Sequence, residues 1–393
     1  MRMVSGATLV AALAACGSGR PEGNGVVVDS LGVQIVTSSV PAWRDGSGWQ
    51  VDSIPAQVAG DASRTDGALL IGVGGVHRFA DGRLAVVVGE DRQVIYFTPD
   101  GAVTARIGGP DTFVRPRLIA TAGDSLWIWD TGSARLTVLD AAGTVVRTAA
   151  MAGAVAPAGR FADGGLVLTG RPTIGLGEGV GLRRDGIALF AANAGGEVVS
   201  DTLAIVPGSE MVVASTAEFV AAFPRPFGAQ TSIAIADRWV QVAAGDGNEV
   251  LRITPEGRLG QIWRLARPRR AIPLEEIREH GLRRTEQVAQ LPRPVAERVV
   301  DAMVAAGLPG EMPTFDQQVI DETGHTWLRE DAGPERRDVV AQRWQVLAPD
   351  GAWLGSVVTP RGLTVWQVTR DRIVGVWRDP NGIEEVRVHR LRR

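Results

Sequence analysis

Arg78-Phe79-Ala80-Asp81-Gly82 recurs as Arg160-Phe161-Ala162-Asp163-Gly164, 82 residues further on. A related unit lies halfway between the two copies, so the repeat is about 41 residues long, a period that marks a stacked or circular array. Working outward from the first copy, Leu84 opens an apolar run and Gly101 closes a Pro-Asp-Gly turn. In the next unit Leu126 and Gly143 hold the same places, and the gap is 17 residues both times. Between these landmarks, apolar runs alternate with Asp/Gly reversals, the pattern of four strands joined by tight hairpins. Four strands in about 42 residues make one blade of a β-propeller.

Later units follow the same plan. A fourth runs from Ile233 through Arg238-Trp239-Val240 to Thr254-Pro255-Glu256-Gly257. A fifth runs from Val319 through Asp321-Glu322-Thr323-Gly324 and Trp327 to Ala348-Pro349-Asp350-Gly351, and a sixth from Thr364 to Leu391. The third, about residues 155–206, is the least regular. The expected fold class is therefore all-β, a six-bladed β-propeller over residues 26–393. Trp127, Trp239 and Trp327 recur near the second strand of their units, where aromatic residues fill the wedge between neighbouring sheets. Gly32 to Ser38 reads as an extra strand that pairs with the last blade and closes the ring, which removes exposed edges.

The strand pattern stops over about residues 271–310, between the fourth and fifth blades. Pro273 and the acids Glu275 and Glu276 suit the first turn of a helix, as its dipole favours. Pro294 opens a second, with Val295, Val299, Ala302, Met303 and Ala306 on one face and Gly307 and Pro309 ending it. A two-helix insertion is expected here, decorating a face or rim of the ring.

The second unit reads Leu126-Trp127-Ile128-Trp129-Asp130-Thr131-Gly132-Ser133-Ala134-Arg135-Leu136-Thr137-Val138-Leu139-Asp140-Ala141-Ala142-Gly143. A strand ending in Asp, a small-residue turn, Arg, an alternating strand and a closing Asp-x-x-Gly resemble an NHL repeat. Residues 45–393 as a whole resemble the NHL-related six-bladed β-propellers of secreted bacterial proteins, a likeness that implies the same ring and a helical insertion near this place. Of the Gly-rich stretch ending in Phe and a later Pro that the group carries between blades, Gly108-Gly109-Pro110, Phe113 and Pro116 remain. In such repeats an acidic turn residue, here Asp130 beside Arg135, satisfies backbone N–H groups in preference to binding a ligand.

Cys16 is the single cysteine, which excludes an internal disulfide framework and any CxxC motif. Residues 1–15 read as a signal peptide, with Arg2 as a minimal positive region and Val4 to Leu13 as an apolar one too short to span a bilayer. Leu13-Ala14-Ala15-Cys16 is similar to a bacterial lipobox, so Cys16 is expected to carry the lipid. Residues 16–25 follow as a polar, Gly-rich tether. The partner implied is a membrane, reached through the N-terminal lipid, in the bacterial cell envelope. Gly17 after the cysteine favours the outer membrane or surface over the inner membrane.

All 41 basic residues are arginine, so the chain has no lysine for a P-loop or for a pyridoxal Schiff base. A net charge of −3 offers no basic field for nucleic acid. A lactonase-like calcium ring needs Asn and acid oxygens, and the chain has four asparagines. The histidines are His77, His280, His325 and His389, a poor supply for a zinc site of three. No metal and no cofactor is expected, and the Gly-rich Gly175 to Gly181 stretch reads as a loop. Binding of a protein, peptide or glycan ligand is favoured over catalysis. The alternative is a hydrolase or lyase with its site in the central tunnel, for which His77, Arg117, Asp321 and His325 are the candidates.

Overall fold

The computed structural model describes residues 25–44, 47–61, 63–151, 155–170, 181–200, 202–215, 220–288, 290–307, 309–333, 340–379 and 382–393. The signal segment, Cys16 and its tether up to residue 24 lie outside the described residues, as does most of the 175–181 stretch. An N-terminal hairpin, β1 (Gly25–Ser30) and β2 (Val33–Ser38), precedes two short strands, β3 (Gln50–Val51) and β4 (Gln57–Ala59). The first sheet is an antiparallel meander of β5 (Val73–Arg78), β6 (Leu84–Val88), β7 (Gln93–Phe97) and β8 (Val103–Gly108). The second repeats it with β9 (Pro116–Ala122), β10 (Ser125–Asp130), β11 (Arg135–Leu139) and β12 (Val145–Ala150).

The third begins with β13 (Val155–Arg160) and β14 (Leu166–Gly170), skips β15 (Gly181–Arg183), and ends with β16 (Gly186–Ala192) and β17 (Ala204–Pro207). Its skipped strand joins β18 (Met211–Ser215) and β19 (Val220–Pro224) in a separate three-stranded sheet. The fourth sheet holds β20 (Ser232–Ala236), β21 (Trp239–Ala243), β22 (Glu249–Ile253) and β23 (Leu259–Leu265). Helices α1 (Leu274–Val288) and α2 (Arg293–Ala306) come next in the chain. The fifth sheet holds β24 (Phe315–Ile320), β25 (Thr326–Glu330), β26 (Gln342–Leu347) and β27 (Trp353–Thr359). The last holds β28 (Leu363–Val368), β29 (Arg372–Arg378) and β30 (Glu384–Arg392).

The fold is thus mostly β, in many small sheets, with two helices among the described residues. The first strands of the sheets pack side by side in the order β5, β9, β13, β20, β24, β28 and back to β5. Apolar clusters fill every gap between neighbouring sheets. Ile128 and Phe113 meet Tyr96 and Val87 between the first and second, for example, and Val374 and Val386 meet Val86 and Ile95 between the last and the first. Burial of these faces, at about 25 cal/mol per Å² of apolar area, drives the closure. The sequence-visible Asp-Gly turns serve the same contact. Gly351 takes the left-handed φ of 92° that its turn requires, and a Cβ there would lie 2.3 Å from Cδ1 of Trp263 in the preceding sheet.

Trp127 and Trp327 sit in the gaps between sheets, whereas Trp239 lies under the guanidinium of Arg252 and Trp263 fills the gap in its stead. The Gly32 to Ser38 strand forms as β2, but it pairs in parallel with β23 of the fourth sheet, and β1 adds outside it. The last sheet is extended instead by β3 and β4, both antiparallel to β30. The parallel pairing was out of reach of local reading because its partner lies more than two hundred residues away in the chain. Helix α2 packs on the separate sheet, Val299 and Met303 against Val212, and α1 packs on α2.

Candidate functional site: the central channel

The first strands face a channel of about 470 Å³ lined by residues of all six, including His77, Arg117, Ile119, Ala158, Ile235, Gln318 and Trp366. These strands are not regular. In β5, β9, β13, β24 and β28 the pairing to the second strand slips by one residue, leaving Gly74, Ile119, Ala158, Asp316 and Trp366 as bulges. A bulge re-aims the side chain it leaves unpaired. Ile119, Ala158 and Trp366 line the channel, whereas Asp316 turns to a two-point pair with Arg329, Nε to Oδ1 at 2.7 Å and Nη2 to Oδ2 at 3.0 Å.

Three glutamines tie first strands to one another. Gln318 Nε2 donates to the carbonyls of Ser232 (2.6 Å) and Gln241 (3.0 Å), and Gln317 Nε2 donates to the carbonyl of Val365 (2.8 Å). Gln367 Oε1 accepts from the N–H of Arg78 (2.7 Å), and its Nε2 donates back to the Arg78 carbonyl (3.3 Å). Elsewhere the contact is made by missing side chains. A Cβ on Gly75 would lie 2.3 Å from Cβ of Leu118, and one on Gly159 would lie 2.9 Å from Ile235 Cδ1.

The sequence candidates divide between two places. His77 and Arg117 line the channel. His77 is buried, its ring edge-on to Phe79 at 4.8 Å, and burial pushes its pKa down to about 4 against the pull of Asp124. It is neutral at pH 7. Arg117 is exposed, and among the described residues its guanidinium has no partner. Arg160, the other lining arginine, lies 5.3 Å over the Trp127 ring and donates to the Ala162 carbonyl (3.5 Å).

Asp321 and His325 lie together in the turn between β24 and β25, away from the channel lining. Oδ1 of Asp321 accepts from the N–H groups of Thr323 and His325 (2.9 Å each) and from Thr323 Oγ1 (2.7 Å). Oδ2 accepts from Trp327 Nε1 (3.2 Å) and Arg393 Nη2 (2.5 Å). Burial alone would raise the pKa of this carboxyl, 4% exposed as a residue. The bonds from His325 and Thr323 and the Arg393 charge outweigh it and hold the group well below the usual carboxylate range. The arrangement ties the C-terminal arginine to the turn. Asp130 does the same between β10 and β11, accepting from the N–H groups of Val114, Arg115 and Gly132 and from Ser133 Oγ.

Sequence reasoning missed Gln317, Gln318, Gln367 and Trp366. The signal that could have found two of them is the polar pair Gln317-Gln318 just before Val319-Ile320. A second cavity, of about 120 Å³, lies between α1 and the Phe223 to Gly228 segment, with Phe227, His280, Arg284 and Met303 in its wall. Among the described residues no three His, Cys, Asp or Glu side chains converge as a metal site, and no helix is long and apolar enough to cross a membrane.

No protein-family model matches this sequence, and no curated protein matches it. Among solved structures, the chain is similar to a Bacteroides fragilis protein described as exported, at 9% identity over 91% of this chain and 99% of that one, TM-score 0.49. It is similar to a DUF4221 family member from Bacteroides vulgatus at 8% identity over 88% and 98%, TM-score 0.49. It is also similar to virginiamycin B lyase from Staphylococcus aureus at 10% identity over 88% and 99%, TM-score 0.40. At such identities none of these likenesses carries a residue or a role over to this chain.

Proposed function

We propose that this chain is a six-bladed β-propeller of the bacterial envelope, anchored through lipid on Cys16, that binds a peptide, protein or glycan group in its central channel. The carrying observation is the channel itself, walled by first strands of six sheets and presenting the exposed guanidinium of Arg117, which has no partner among the described residues. Clefts of roughly 300–1,000 Å³ with a few convergent polar groups are the usual form of a small-ligand site. In this reading α1 and α2 are an insertion between blades four and five, and residues 1–15 are removed as a signal peptide. The NHL-like run Leu126 to Gly143 is blade structure, since its Asp130 is engaged by four donors of its own turn and the preceding loop.

One observation favours the enzymatic alternative: His77, neutral at pH 7, shares the channel wall with Arg117, a base beside a cation. An equilibrium-binding screen of peptides and glycans separates the two. Binding by the purified chain that disappears in Ala158→Trp, which adds an indole at a lining position, while the variant keeps the native circular dichroism, supports the channel as the ligand site. Binding that survives the substitution sinks it, and turnover of a bound compound selects the hydrolase or lyase. For the anchor, palmitate label on the native chain and none on Cys16→Ala is expected; equal label on both removes it.

A further inference from the structure

The channel wall is one-sided in charge. Among the described residues none that lines it is Asp or Glu, while Arg117 stands exposed and Arg160 is engaged by the Trp127 ring and the Ala162 carbonyl. In a cleft with low-dielectric walls, cations faced by no carboxylate set the sign of what concentrates there, and Arg117 is the more exposed of the two. The wall also offers a flat apolar face. Trp366 is the bulge residue of β28, packed on one side against the cluster between the last and first sheets and half-exposed to the channel on the other. Gln367 beside it is held rigid by its two bonds to Arg78.

Resting on the channel as the ligand site, we infer that it takes a carboxylate borne on a ring, the carboxylate held by Arg117 and the ring face covered by Trp366. A guanidinium fork matches a carboxylate in two-point fashion, and an indole covers a sugar or aromatic ring with a large rigid surface. Two sources supply that chemistry, an acidic sugar and an aromatic acid.

Calorimetric titration of the full chain with digalacturonate, with benzoate and with neutral digalactose tests it. At least one of the two acids binds, at least about tenfold more tightly than digalactose, and loses at least about tenfold in Arg117→Gln. The intrinsic fluorescence change on binding disappears in Trp366→Phe. Binding of digalacturonate alone identifies the acidic sugar, and of benzoate alone the aromatic acid. Equal affinity for digalactose, unchanged binding in Arg117→Gln, or no binding of either acid overturns the inference. If a ligand from the broader screen is still lost in Ala158→Trp, the channel stands as the site and only the ligand class is wrong.

Discussion

The ring closes in two different ways along its two arcs. From β5 through β9 and β13 to β20, the junctions of β5 with β9 and of β13 with β20 rely on close approach, with Gly74 and Gly75 against Pro116 and Leu118 and Gly159 against Ile235. From β20 through β24 and β28 back to β5, every junction is stitched by a glutamine: Gln318, Gln317 and Gln367 in turn. The glycine junctions gain packing and tolerate no added atom, since cores at near-crystalline density respond to a single methylene. The glutamine junctions instead satisfy backbone carbonyls, and one backbone N–H, across the gap between first strands. The ring of first strands is therefore not uniform: two of the three junctions on one arc are sealed by close approach, and all three on the other by hydrogen bonds.

Filling the tightest junction should produce the largest effect. Gly75→Val places a branched side chain where a Cβ already lies 2.3 Å from Leu118, at a φ of 156°. A loss of more than about 3 kcal/mol is expected in urea denaturation, as for severe overpacking. A loss below about 1 kcal/mol would mean that close approach does not seal this arc.

His77 stands on β5, where the arcs meet, and gives the comparison a pH axis. Its pKa is about 4 in the folded chain against 6.5 in the unfolded one. Above about pH 6.5 both states hold it neutral and it costs nothing; as pH falls towards 4 the unfolded state takes up the proton first and stability declines. The decline attributable to this residue is up to about 3 kcal/mol, and His77→Gln should flatten the profile of unfolding free energy over that window. An unchanged slope would place the titration elsewhere.

The glutamine arc should respond in proportion to the bonds removed. Gln318→Leu deprives the Ser232 and Gln241 carbonyls of a donor and should cost about 2 kcal/mol. Gln317→Leu deprives only the Val365 carbonyl and should cost about 1 kcal/mol. If the two variants unfold at the same denaturant midpoint as the native chain, the glutamines are not stitches and the two arcs are alike.

Much of the scaffold was legible. The Asp81-Gly82 and Asp163-Gly164 repeats, the Pro-Asp-Gly reversals and the Val-rich runs are local signals, and the helices around Ile277 and Val299 fall where proline and apolar spacing place them. The candidate site was legible by halves. His77 and Arg117 could be placed near the ends of first strands, and they do line the channel; Asp321 and His325 sit at the same kind of strand end yet turn into their own hairpin. Neither direction is encoded within a few residues of the side chain.

By itself the sequence determined the strand-and-turn content and the break for two helices, because each depends on neighbours within a few residues. Tertiary structure alone decided the parallel pairing of β2 with β23, the departure of β15 to a separate sheet, and the bulges that turn Ile119, Ala158 and Trp366 into the channel. The physical reason is range. A turn is set by φ preferences and short hydrogen bonds, whereas a register slip or a distant pairing is set by which strand lies opposite once the ring has closed.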